Sequence, residues 1–228
     1  MSGNIFKLIR PADVITLANA LFGFASIIMV IRGDFDRALV FILAAVIADA
    51  ADGAVARYSG CGVLGANLDS LSDVISFGVA PAAAAFVFLG DEVSYAGIFS
   101  GLFLVCGILR LARFNSSGKK DGFEGIPITS AGFIVALFLL ARDYVPNVDI
   151  ALILLLILTS FLMISTINYP KMKNPIILAP IAALLVLDIV VFYLGYNGAL
   201  KLGALIILIL NLAYVLSPIW RRFYDRSE

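Results

Sequence analysis

The chain has 228 residues, 62% hydrophobic and only 14% charged, with a formal net charge of zero. Soluble domains carry about a quarter charged residues, so an ordinary water-soluble fold is excluded, and no basic region is present to suggest nucleic acid. There is no histidine, which removes Ser-His-Asp triads and His-ligated metals and leaves carboxylates as acid–base groups and oxygen as the metal donor. Cys61 and Cys106, far apart in the chain, read as free thiols rather than a disulfide framework.

The N-terminal stretch through Gly23 is basic and amphipathic, runs into apolar sequence and has no small-residue cleavage site. It predicts an interfacial helix followed by a span. A hydrocarbon core about 30 Å thick needs roughly 20 helical residues. Eight apolar segments qualify as spans, at about 14–31, 38–58, 65–89, 94–114, 127–142, 148–167, 175–194 and 199–217, the fifth being the shortest. The fold class expected is all-α, a polytopic membrane helix bundle of about eight transmembrane helices forming one domain over residues 1–228. Pro81 and Pro180 fall inside spans and predict kinks.

Loop charges set the orientation. With a cytoplasmic N-terminus, the inside set is Lys7, Arg10, Arg57, Arg110, Arg113, Lys119, Lys120, Lys171, Lys173, Arg221, Arg222 and Arg226, against Arg32, Arg37, Arg142 and Lys201 outside. This positive-inside bias predicts that both termini are cytoplasmic.

The second span is rich in alanine and carries Asp49 and Asp52, three residues apart. The third begins with Asp69 and Asp73, four apart, so each pair shares a helix face. The short connection predicts an antiparallel hairpin with the two pairs facing each other near the cytoplasmic end. A lone aspartate at a bilayer centre costs about 2.5–3.5 kcal/mol, so four together must be hydrated, protonated or neutralised. Two divalent cations would balance them, and hard oxygen ligands favour Mg²⁺ or Mn²⁺, with Ca²⁺ as another occupant. Such a pair of metals is the usual clamp for phosphoryl transfer. Arg57 is placed to hold a phosphate oxygen, and Gly53 and Gly65 leave room for a nucleotide to approach the backbone.

The pattern D-x-x-D-G-x-x-A-R, a spacer, then G-x-x-x-D-x-x-x-D resembles the signature of the CDP-alcohol phosphatidyltransferases, matched at Asp49, Asp52, Gly53, Ala56, Arg57, Gly65, Asp69 and Asp73. The resemblance implies a six-helix core over about residues 14–167, with two further spans over about 175–217. It implies metal ligation by Asp49, Asp52 and Asp69, with Asp73 as general base that also touches a metal. Gly53, Ala56, Arg57 and Gly65, with Asp52, would bind the CDP-lipid, which is CDP-diacylglycerol or CDP-archaeol, and the family implies a homodimer. The stretches around Arg110, Arg113 and Asn115 and from Phe123 to Gly132, and the N-terminal pattern Pro11, Thr16, Asn19, Gly23, resemble the branch that uses L-serine as acceptor. On that resemblance Thr16 and Asn19 join the CDP-lipid site, and Arg110, Arg113, Asn115 and Lys119 are acceptor or phosphate contacts. Ile128 and Thr129 depart from that branch, where a Ser-Pro or Thr-Pro pair often sits.

Other readings of these residues remain open. Arg110 and Arg113 have the spacing of interfacial anchors, Lys119 and Lys120 of loop charges against anionic lipid, and Thr16 and Asn19 of helix–helix contacts. A phosphorylated acceptor, glycerol 3-phosphate or an inositol phosphate, would need a denser basic pocket. A divalent-cation transporter would need acids at successive depths, whereas only Asp188 lies away from the cluster and reads as a helix or dimer contact.

Overall fold

The computed structural model describes residue 5 and residues 8–59, 62–90, 95–117, 123–169 and 175–224. The expected interfacial helix falls largely outside this set, as do Cys61, Lys119 and Lys120. The chain is an all-helical bundle: α1 (Pro11–Ile31), α2 (Phe35–Ser59), α3 (Gly65–Asp73) running through a π-helical segment (Val74–Val79) into α4 (Ala80–Leu89), α5 (Ala96–Ser117), α6 (Ile128–Leu140), α7 (Val148–Ile164), α8 (Pro175–Tyr193) and α9 (Asn197–Tyr224). α1, α2, the continuous α3–π–α4 rod, α5 and α9 are long and apolar enough to cross a membrane, and α6, α7 and the end of α8 are shorter apolar helices. This is a multi-pass membrane protein.

Local chemistry sets several boundaries. α1 opens with Pro11 at its first position, where a missing N–H costs nothing, and the Asp13 carboxylate accepts the Arg10 N–H at 2.8 Å. In the third span, Ala80 N–H bonds Ile75 O, five residues back. Pro81 follows immediately and has no N–H to continue an α ladder, so the irregularity expected at this proline is a π turn.

α6 is the axis of the bundle. Ile128, Ala131 and every residue from Gly132 to Leu140 are buried, as a helix apolar on all sides must be. Its neighbours are α2, α4, the π segment, α7 and α9. At 13 residues it is about 20 Å long, short for a lipid span but sufficient inside protein. α1 packs along both α2 and α3. The hairpin expected of the second and third spans is thus bridged by α1 near the acids, and α2 meets the third span through the π segment and α4.

α7 ends three residues earlier than the sequence suggests. The chain there turns extended, so that Asn168 and Tyr169 (β2) pair antiparallel with Glu124 and Phe123 (β1). At the opposite end of the bundle, Arg142 pairs with Asp36 at 2.8 Å and Lys201 with Asp143. These bridges join the starts of α2 and α9 to the 3-10 turn after α6.

Candidate active site

The acids of α2 and α3 converge. Asp49, Asp69 and Asp73 each offer a carboxylate oxygen, and these atoms lie within 4.8 Å of one another. Asp52, one turn beyond Asp49, stands beside this triad within electrostatic reach of all three. Its Oδ2 accepts the Thr16 hydroxyl at 2.6 Å. Three hard oxygen donors this close, in a chain without histidine and with no cysteine grouped with them among the described residues, fit Mg²⁺-type ions.

α1 supplies the opposite wall. Ser72 and Ser76 donate to the carbonyls of Thr16 and Asn19 at 2.9 and 2.8 Å, fixing the register of the third span on α1. That register brings Asn19 Nδ2 to 3.5 Å from Asp73 Oδ1. Thr129, at the start of α6, has its hydroxyl 3.4 Å from the other oxygen of Asp73. Arg110 of α5 is buried, stacks over Phe114 at 5.3 Å and lies within electrostatic reach of Asp69 and Asp73.

A cavity of about 280 Å³ opens beside the triad, lined by Ala12, Asp13, Thr16, Asp52, Gly53, Ala56, Gly62, Gly65, Ala66 and Asp69. It gathers Thr16, Asp52, Gly53, Ala56 and Gly65 of the sequence-derived nucleotide set. Asn19 faces Asp73 instead, and Arg57 is exposed at the end of α2, near Gly53. Ala50, next to Asp49, lines a second cavity of about 390 Å³ with Val46, Ile47, Pro127, Ser130, Phe133, Ile181, Ala182, Leu185, Val186, Asn211 and Tyr214. This one is largely apolar.

Of the acceptor residues that the resemblance implies, Asn115 donates from Nδ2 to the Ser70 hydroxyl at 3.0 Å. The Arg113 guanidinium donates to four backbone carbonyls, those of Glu124, Met163, Ile164 and Ser165, at 2.6–3.2 Å. Lys119 lies outside the described residues. Asp188 is buried against Gly203, a contact between α8 and α9. The sequence assigns no role to Asp13, Ser72 or Ser76, and marks Thr129 only as a departure from the serine-acceptor branch. Asp13 carries a signal, a carboxylate at the third residue of a Pro-led helix, but that signal reads as a cap.

The site is a carboxylate triad inside a polytopic helical bundle, beside one cavity that presents Asp13, Thr16, Asp52 and Asp69 and another that is largely apolar. The family model described as CDP-alcohol phosphatidyltransferase matches residues 10–187, and the chain belongs to this family. It is 39% identical over 175 residues to an archaetidylserine synthase of Methanothermobacter thermautotrophicus, covering 75% of this chain and 73% of that one. It is 38% identical over 189 residues to a CDP-diacylglycerol–serine O-phosphatidyltransferase of Methanocaldococcus jannaschii, covering 82% and 87%. A protein of the latter name from Bacillus subtilis is 34% identical over 167 residues, 71% of this chain and 90% of its own.

Proposed function

We propose that this enzyme transfers the phosphatidyl or archaetidyl group of CDP-diacylglycerol or CDP-archaeol to the hydroxyl of L-serine, releasing CMP. The observation that carries the acceptor is the 38–39% identity, over three quarters or more of the chain, to proteins named for serine transfer. The donor's cytidine diphosphate sits in the cavity lined by Asp52, Gly53, Ala56 and Gly65, with Arg57 near Gly53. Its hydrocarbon chains lie along the apolar cavity between α2, α6, α8 and α9.

Asp49, Asp69 and Asp73, with Asp52 at their edge, would hold two divalent cations, Mg²⁺ or Mn²⁺. When bound, these neutralise the diphosphate and stabilise charge on the attacking and leaving oxygens. Asp73 takes the proton from the serine hydroxyl, a poor nucleophile without an adjacent base. The serine oxygen bonds to the lipid-bearing phosphorus, the bond from that phosphorus to the bridging oxygen breaks, and CMP leaves with the electron pair. Arg110, beside Asp69 and Asp73, is placed to meet the serine carboxylate. The site and both termini face the cytoplasm on the loop-charge bias. The protein acts as a homodimer of one-domain subunits, a six-helix core with two added spans, as the family resemblance implies.

The test is CMP release from a CDP-lipid by purified protein with Mg²⁺ or Mn²⁺, with and without L-serine. Serine-dependent release lost with EDTA is expected. Release only with glycerol 3-phosphate or an inositol phosphate would discard serine and keep the family chemistry.

A further inference from the structure

We propose that Thr129 is a positioning residue for Asp73, holding one carboxylate oxygen from α6 while Asn19 holds the other from α1. The inference rests on the transfer reaction proposed above and adds a residue outside the family motif. The stretch from Phe123 to Gly132 resembles one in which proline often stands at the position of Thr129, so this hydroxyl is a departure of this chain.

Backbone packing supports the geometry. Gly132 sits against the backbone carbonyl of Phe77, so closely that a methyl group there would strike the Phe77 oxygen. α6 and the π segment therefore meet backbone to backbone at that point. Thr129 lies three residues before Gly132, and Asp73 four before Phe77, so each pair shares a helix face. One turn back along both helices, the same close approach delivers the Thr129 hydroxyl to Asp73 Oδ2 at 3.4 Å. Asn19 meets Oδ1 at 3.5 Å from the far side, on the register set by Ser72 and Ser76. At 3.4 and 3.5 Å both contacts are longer than ordinary hydrogen bonds, as catalytic contacts often are before substrate binds and tightens them.

The consequence is orientational. A carboxylate on one side-chain rotor can swing its lone pairs away from an incoming hydroxyl. Two donors on opposite oxygens fix the plane of the group and leave its remaining lone pairs facing the acceptor. Thr129 touches no reacting atom, so its removal should slow turnover without weakening substrate binding.

The experiment compares Thr129→Val, which keeps the shape and removes the hydroxyl, with Thr129→Ser, which keeps the hydroxyl. For each, CMP release is measured against CDP-lipid and serine concentration, CDP-lipid affinity by direct titration, and melting temperature in detergent. The valine variant should lose about tenfold in kcat, with KM, affinity and melting temperature unchanged, and the serine variant should recover turnover to within about twofold. Wild-type kcat in the valine variant would overturn the proposal. So would a serine variant as slow as the valine one, or a loss of kcat that tracks a fall in melting temperature. If the wild-type protein turns over with a different acceptor, the serine assignment fails and the comparison is made with that acceptor. If it turns over with none, the transfer reading fails and this proposal falls with it.

Discussion

Replacing Arg113 with alanine tests whether this residue holds the fold or the acceptor. Its guanidinium gathers carbonyls from the strand before α6 and from the end of α7, at 2.6–3.2 Å. Gly125 completes the clasp. Its φ is +76°, and a methyl there would meet the Met163 carbonyl and Arg113 Nη2. Hydrogen bonds to charged groups contribute roughly 1.5–3 kcal/mol each when buried, and less where water competes. Three of the four contacts share Nη2, which has only two hydrogens, and the group is partly exposed, so a loss of about 2–4 kcal/mol is the expectation. For a chain of this size that is roughly 5–15 °C in melting temperature. Lysine should restore little, because one ammonium cannot reproduce the planar fork. The assay is thermal unfolding in detergent micelles, read alongside the KM for serine. An unchanged melting temperature with a raised serine KM would refute the clasp and return Arg113 to the acceptor site.

Three further outcomes are expected. Asp73→Asn should leave CDP-lipid affinity largely intact and lower turnover by about 10²–10⁴-fold, the span typical of a lost general base; near-normal turnover would end that assignment. Asp49→Asn should weaken Mn²⁺ binding, measured by electron paramagnetic resonance, more than Asp188→Asn, because Asp49 belongs to the converging triad and Asp188 lies against Gly203 on α8. The hydrogen bond from Lys201 holds the Asp143 carboxyl below its usual range, against a small opposing effect of burial. A lowered folded-state value means the stabilisation is fully present above the ordinary carboxylate pKa and is lost as pH falls through the lowered one. Lys201→Ala should therefore cost at most about 1 kcal/mol at pH 6, because the pair is exposed. The difference from wild type should shrink as pH drops below about 4, and a difference that grows on acidification would contradict the pairing.

Much of the architecture was legible because lipid imposes a simple rule. Span lengths placed the helices within a few residues, and the spacing of Asp49, Asp52, Asp69 and Asp73 announced the acid cluster. What stayed hidden depends on backbone groups, which have no residue identity. The four carbonyls around Arg113 made an arginine with the spacing of an anchor into a cross-brace. The end of α7 is hidden because Ile167 resumes apolar sequence after Ser165 and Thr166, although its carbonyl serves the Gly125 N–H at 2.8 Å. The π segment had one signal, Pro81, but that signal does not say whether the chain kinks or inserts a residue.

The division of labour within the site follows from the same contrast. The motif on α2 and α3 supplies the carboxylates, yet their orientation comes from helices that carry no part of it. Thr16 fixes Asp52 and Asn19 meets Asp73 from α1, Thr129 approaches from α6, and Arg110 reaches Asp69 and Asp73 from α5. Arg110 is one positive charge against four carboxylates, so cations, water or protons must meet the rest. Neutral donors such as Thr16, Asn19 and Thr129 orient those groups without cancelling that charge. Basic residues at the same positions would pair with the carboxylates and compete with any cation bound there, so a site of this kind is best braced by hydroxyls and amides.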